Sequence, residues 1–138
     1  MKLAVSLLVA ALCLCQMAAA YSTLSNKLSD AKIDSMQQIN SIVNPALASI
    51  ERATKESTAA GKDATRCYTQ AKSELRTYSL DGFSALDTCR RNALNAYPIS
   101  NESAILSHAI TCNRGVVIKV RDGTWEVKRE SNRCIAAL

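Results

Sequence analysis

The chain has 138 residues, of which 17 are basic and 12 acidic, for a formal charge of +5; 48% are hydrophobic and only 4% aromatic. A charge this mild, with signs interspersed, argues against a nucleic-acid binder, and the length suits a single domain. Four glycines and two prolines in an alanine- and serine-rich chain point to helices.

The first 20 residues, MKLAVSLLVAALCLCQMAAA, have the three parts of a secretory signal peptide. Lys2 supplies the positive start. Leu3 to Leu14 is an apolar run interrupted only by Ser6, and Ala18-Ala19-Ala20 offers the small residues that a signal peptidase needs. The run is too short to span a bilayer. Residues 21–138 are then expected as one secreted, extracellular domain beginning at Tyr21. Its charge falls to about +4, with 16 basic groups against 12 acidic ones. Cys13 and Cys15 leave with the signal. Cys67, Cys89, Cys112 and Cys134 remain, and an even number in a small secreted chain reads as two disulfides.

The first mature piece, 22–58, carries Leu24, Leu28, Ala31, Met36, Ile39, Val43, Leu47 and Ile50 mostly in helical steps of three and four. Asn44-Pro45 interrupts it, which predicts one helix kinked at Pro45 or, failing that, two shorter helices restarted by an Asn44 cap. The small, polar stretch STAAGKD, 57–63, marks a turn. The second piece, 62–97, keeps one phase throughout: Cys67, Ala71, Leu75, Tyr78, Gly82, Leu86, Cys89, Ala93 and Ala96. Asp81-Gly82 resembles a turn in isolation. The stripe crosses it in register, so a continuous helix is predicted.

YPISNES, 97–103, marks the second turn, since Pro98 disfavours helix at the residue before it. Ser100 or Asn101 suits an N-cap, with Glu102 in the first turn. Asn101-Glu102-Ser103 is also an N-glycosylation acceptor at an accessible turn; the alternative is a plain cap.

The third piece, 101–135, can be read two ways. Residues 116–128 make a plausible β-hairpin about Asp122-Gly123, which would give an α+β fold. As a helix, the same piece places Cys112, Val116, Val120, Gly123, Val127 and Cys134 on an inner stripe. Arg114, Ile118, Arg121, Trp125, Lys128 and Arg129 then fall on the outer side.

The cysteines help to choose. Facing residues of an antiparallel helix pair have position numbers with a constant sum. Cys89 and Cys112 sum to 201, as do Cys67 and Cys134, which centres the pair on the turn beside Pro98. On each helix the cysteines lie 22 residues apart, about six turns, and so share a face. Nested bridges, Cys67–Cys134 and Cys89–Cys112, are favoured over the sequential pairing Cys67–Cys89 with Cys112–Cys134. The expected fold is therefore all-α: an elongated antiparallel array of three long helices stapled by two disulfides.

Motifs for chemistry are sparse. The single histidine, His108, sits at helical spacing from Ile105 and Cys112 and is expected at a helix edge. No C-x-x-C, H-E-x-x-H, G-x-S-x-G or glycine-rich phosphate loop occurs among the mature residues. The expectation is a non-enzymatic protein with no catalytic residues, metal or cofactor.

A signal peptide, long alanine- and serine-rich helical segments and the four widely spaced cysteines Cys67, Cys89, Cys112 and Cys134 resemble a family of small secreted insect proteins. It is typified by the tsetse midgut EP protein domain, a domain of unknown function. The Glu-Pro repeats of the type protein are missing, since neither Pro45 nor Pro98 follows a glutamate. The resemblance implies extracellular residence and supplies no catalytic residues. Insect odorant-binding proteins are also small, secreted and helical, but their close cysteine spacings are absent.

Two functions compete. An extracellular interaction protein would use the outer face around Trp125 to bind a macromolecule or an anionic membrane surface. Against this stands the expectation that Trp125 and Ile118 pack on the first helix. A carrier would hold a small apolar ligand between helices.

Overall fold

The computed structural model describes the backbone of residues 2–138 and the side chains from Leu12 onward. Met1 and the side chains of residues 2–11 lie outside the described residues. Three helices follow one another: α1, Lys2–Ala59; α2, Thr65–Asn95; and α3, Glu102–Ala136. Each packs against the other two. With short turns at 60–64 and 96–101, α2 runs antiparallel to both neighbours. The described residues contain no strand.

Helix α1 buries Leu24, Leu28, Ile39, Val43, Ala46 and Ile50. It runs unbroken through Pro45, so Asn44 does not restart a second helix. Pro45 is exposed, and on that side water can satisfy the carbonyl that a proline leaves without a donor. The helix also continues through Ala20-Tyr21. Residues 12–23 are all exposed, and burial begins only at Leu24. This exposed end of α1 touches the bundle through Tyr97, whose hydroxyl donates to the Met17 carbonyl at 3.3 Å and whose ring lies 5.6 Å from that of Tyr21.

Helix α2 follows the sequence expectation closely. Its buried residues are Cys67, Ala71, Leu75, Gly82, Leu86, Cys89 and Ala93, all members of the predicted stripe. At Gly82 side chains from both other helices press on the α2 backbone. A Cβ there would lie 2.8 Å from Val120 Cγ2 on α3 and 3.0 Å from Ile39 Cδ1 on α1. Asp81-Gly82 is thus a packing contact inside a helix.

Helix α3 begins at an Asn101 cap, whose Oδ1 accepts from the Ala104 amide at 2.8 Å. Glu102 in the first turn and Arg133 in the last complement the helix dipole. Residues 116–128 are helical, which overturns the hairpin alternative. Their β-branched residues and Asp122-Gly123 favour a hairpin locally, but strand propensity is a weak preference that packing overrides. The Tyr78 ring lies over Gly123 so closely that a Cβ would overlap it. Both Asp-Gly pairs are therefore places where helices approach, and neither is a turn.

The disulfides are nested. Cys67–Cys134 and Cys89–Cys112 each join α2 to α3 with Cα atoms 5.8 Å apart, inside the range a bridge requires. They also mark an oxidising environment, as outside cells.

The predicted inner stripe of α3 needs correction. Cys112 is exposed and Cys134 only half-buried. The buried positions are Ile105, Ala109, Asn113, Val120, Thr124, Val127 and Ser131. The cysteines sit at the α2 edge of the helix rather than at the centre of its inner face. Centring the stripe on them rotated the reading toward α2. Asn113 donates from Nδ2 to the Ala31 carbonyl of α1 at 3.2 Å, whereas the hydroxyls of Thr124 and Ser131 have no partner.

Candidate interaction surface

The outer residues of α3 form one surface because of helical geometry alone. Arg114, Ile118, Arg121, Trp125 and Lys128 succeed one another by four, three, four and three residues, which holds them within a stripe about 80° wide at 100° per residue. Asn132 continues it by a further four. That stripe lies on the α1 flank of α3, away from the cysteine edge. Arg129 stands at its border, and Ile110 extends it toward the N-terminus of the helix.

The structure corrects the expectation that Trp125 and Ile118 pack on α1. Trp125 is 62% exposed and Ile118 42%. Ile110, on the same flank, is 45% exposed. Elsewhere in the bundle helices, from Leu24 onward, α1 exposes one large apolar residue, Ile33, and α2 one, Leu80. The concentration on α3 is what sets this face apart.

The basic groups are less uniform than the sequence suggests. Arg129 stacks over the Trp125 ring, 5.0 Å from its centroid, and pairs with Glu126 one turn back. Arg121 pairs with Asp122 at 2.9 Å. Among the described residues, Arg114 and Lys128 enter no ion pair. Two of the four cations on the face thus have an acidic neighbour, which weakens the attraction to an anionic membrane that the sequence suggested. The Arg129 stack is a cation–π contact, worth about 0.5–1 kcal/mol at an exposed site. It favours one orientation of the indole.

Three further features bear on function. A groove of about 460 Å³ between α2 and α3 is lined by Tyr78, Gly82, Val116 and Val120, with Glu74 and Lys119 among its flanking residues. A second, of about 300 Å³, lies over the Cys89–Cys112 bridge and is lined in part by the exposed His108. Both lie along the α2–α3 seam and have exposed flanks. Asn101 is exposed in the turn at one end of the bundle, and its cap employs only Oδ1. The buried polar residues Asn113, Thr124 and Ser131 were missed because a serine or threonine on a helix carries no sequence mark of facing inward.

Among the described residues no three His, Cys, Asp or Glu side chains gather as a metal would need, and no helix is long and apolar enough to cross a membrane. No family model, curated protein or solved structure matches the chain.

Proposed function

We propose that this is a secreted, extracellular interaction protein that binds a macromolecule through the outer face of α3, with Trp125 as its anchor. One observation carries the reading: the chain's only tryptophan is 62% exposed on a crosslinked helix, with Arg129 stacked over its ring. Tryptophan and arginine are enriched among residues that dominate binding energy, and leaving so large an apolar ring in water serves nothing in folding. Tryptophan fluorescence tests it without other probes. The isolated mature protein should emit as a water-exposed indole, quenchable by acrylamide. In the fluid into which the protein is secreted, Trp125 tagged by an isotopic or fluorinated indole should become protected. An unprotected indole in that fluid refutes the reading.

The signal segment and the acceptor at Asn101 belong to the same proposal. Cleavage after Ala20 and glycosylation of Asn101 are both expected on passage through the secretory pathway. Glycosylation uses Nδ2, and the α3 cap uses Oδ1, so the two roles coexist on one side chain. Ser103→Ala should abolish a glycosidase-sensitive mass shift and leave stability unchanged. Asn101→Ala should abolish it and also cost about 1 kcal/mol through loss of the cap.

Carriage of a small apolar ligand is the second reading, favoured by the α2–α3 groove, whose volume lies within the usual range for ligand pockets. Native mass spectrometry of protein made in insect cells separates the two. A co-purifying lipid that Tyr78→Ala releases would support the carrier.

A further inference from the structure

Resting on that binding face, we infer that its partner is an acidic amphipathic helix lying lengthwise along α3. The spacing is the first ground. The positions 114, 118, 121, 125, 128 and 132 repeat every seven residues, with cations at one register, Arg114, Arg121 and Lys128, and Ile118, Trp125 and Asn132 at the other. Alternating steps of four and three are the pattern by which one helix meets another in a coiled coil. Normally that seam is buried. Here Arg114, Ile118, Arg121, Trp125 and Asn132 are exposed and Lys128 is half-exposed.

The geometry selects a helix over an extended peptide. One seven-residue repeat rises about 10.5 Å along α3. A partner helix repeats its own face at the same interval. An extended segment advances about 3.3 Å per residue and turns every second side chain away, so three residues cover the same rise and successive contacts point to opposite faces. From residue 114 to residue 132 the stripe is about 27 Å long, or five turns.

Charge gives the second ground. Three cations at one register call for Glu or Asp at the facing positions, and Ile118 and Trp125 call for an apolar residue between them. A second copy of α3 docked in parallel would set cation against cation, and docked antiparallel it would face the cations with Ile118, Trp125 and Asn132, which carry no negative charge. An anionic bilayer would meet Asp122 and Glu126 beside the cations, which a helix can avoid by placing its acids only along the seam. The Arg121–Asp122 pair does not block docking, because both partners are about 60% exposed and such pairs are weak.

The test uses the mature protein and a synthetic four-heptad peptide with Glu and Leu at the two seam positions, titrated against Trp125 emission. Saturable binding with a blue shift and a gain of helical circular dichroism is expected. A peptide of the same composition with the heptad spacing scrambled should bind at least about 10-fold more weakly, a difference of 1.4 kcal/mol. Reversing the stripe with Arg114→Glu, Arg121→Glu and Lys128→Glu should transfer preference to the Lys-and-Leu version of the peptide. These substitutions are at the surface and leave the disulfides in place, so native circular dichroism confirms folding. Equal binding of ordered and scrambled peptides overturns the inference. So does concentration-dependent dimerisation on the α3 face, or binding to phosphatidylserine vesicles that outcompetes the peptide. If Trp125 is protected in native fluid while the triple reversal leaves that protection intact, the binding face stands and the acidic helix falls.

Discussion

Helices α1 and α3 lie side by side, yet they are held by different means. Of the six largest fully buried side chains, α1 supplies four: Leu24, Leu28, Ile39 and Ile50. Leu75 and Leu86 of α2 complete the set, and α3 contributes none. On its inner face α3 offers Ile105, Val120 and Val127 interspersed with the smaller or polar Ala109, Asn113, Thr124 and Ser131, and it turns Ile110, Ile118 and Trp125 outward. Among the described residues no disulfide ties α1 to the bundle, whereas α3 is tied by two. Apolar bulk and crosslinks thus substitute for one another. A helix that turns part of its apolar bulk outward gains from another source of stability, and the bridges to α2 supply it.

The largest effect should come from the bridges. In the chain-entropy argument, closing the longer loop stabilises by about 4 kcal/mol and the shorter by about 3 kcal/mol. Cys67→Ala with Cys134→Ala should therefore lower the urea midpoint more than Cys89→Ala with Cys112→Ala. An effect near zero for both pairs would mean that the inner face of α3 suffices by itself and would break the comparison.

Next comes the bulk on α1. Ile39→Ala should cost about 2–5 kcal/mol, as for other buried isoleucines. Trp125→Ala removes a larger side chain, yet it should change stability by only about 0.5 kcal/mol, since surface substitutions seldom exceed that. Equilibrium unfolding of both variants ranks the two helices directly. A costly Trp125→Ala would show that the ring supports the fold and would undercut its role as a binding anchor.

Three glycines in helices sharpen the same point. Gly82→Ala pushes a methyl into Val120 and Ile39, and overpacking of this kind costs about 1–3 kcal/mol, partly offset by the better helix propensity of alanine. Gly115 is exposed with nothing near its Cβ position, so Gly115→Ala should stabilise by up to about 1 kcal/mol. Gly123→Ala should behave like Gly82→Ala, and Tyr78→Ala in the same chain should relieve it. Thermal midpoints of the three single variants give the order.

Much of the fold was legible because cysteine and apolar spacing speak to the same helix phase. On α2 the two coincide, and every buried residue was foreseen. On α3 they differ. The bridges reach sideways to α2 while the core lies between α1 and α2, so a stripe centred on Cys112 and Cys134 was turned from the true centre at Asn113, Thr124 and Ser131. The sequence placed the outer stripe correctly by subtraction. It could not place Trp125 in water, because a large aromatic residue ordinarily packs and only the tertiary arrangement reveals that α1 leaves it uncovered. The ion pairs of Arg121 and Arg129 likewise depend on which rotamers the exposed face permits.

The smallest effect concerns an ion pair between α1 and α2, Lys32 with Asp87. The Lys32 ammonium hydrogen-bonds the Asp87 carboxyl and holds it below the usual carboxylate range, with Arg91 and Arg90 adding to the pull. A carboxyl whose folded value is depressed contributes stability that is full above its unfolded value, near 3.8, and is lost as pH falls through the lower folded value. The advantage of the parent protein over Asp87→Asn should therefore be constant through neutral and mildly acidic pH and vanish in strong acid. Being solvent-exposed, the pair should matter far less than any buried isoleucine of α1. Thermal midpoints of both proteins across that range measure it, and salt should shrink the difference at neutral pH. A difference that persisted in strong acid would mean Asp87 acts through packing. In that case the charge of Asp87 would add nothing to the hold on α1, and the contrast with the crosslinked α3 would be sharper still.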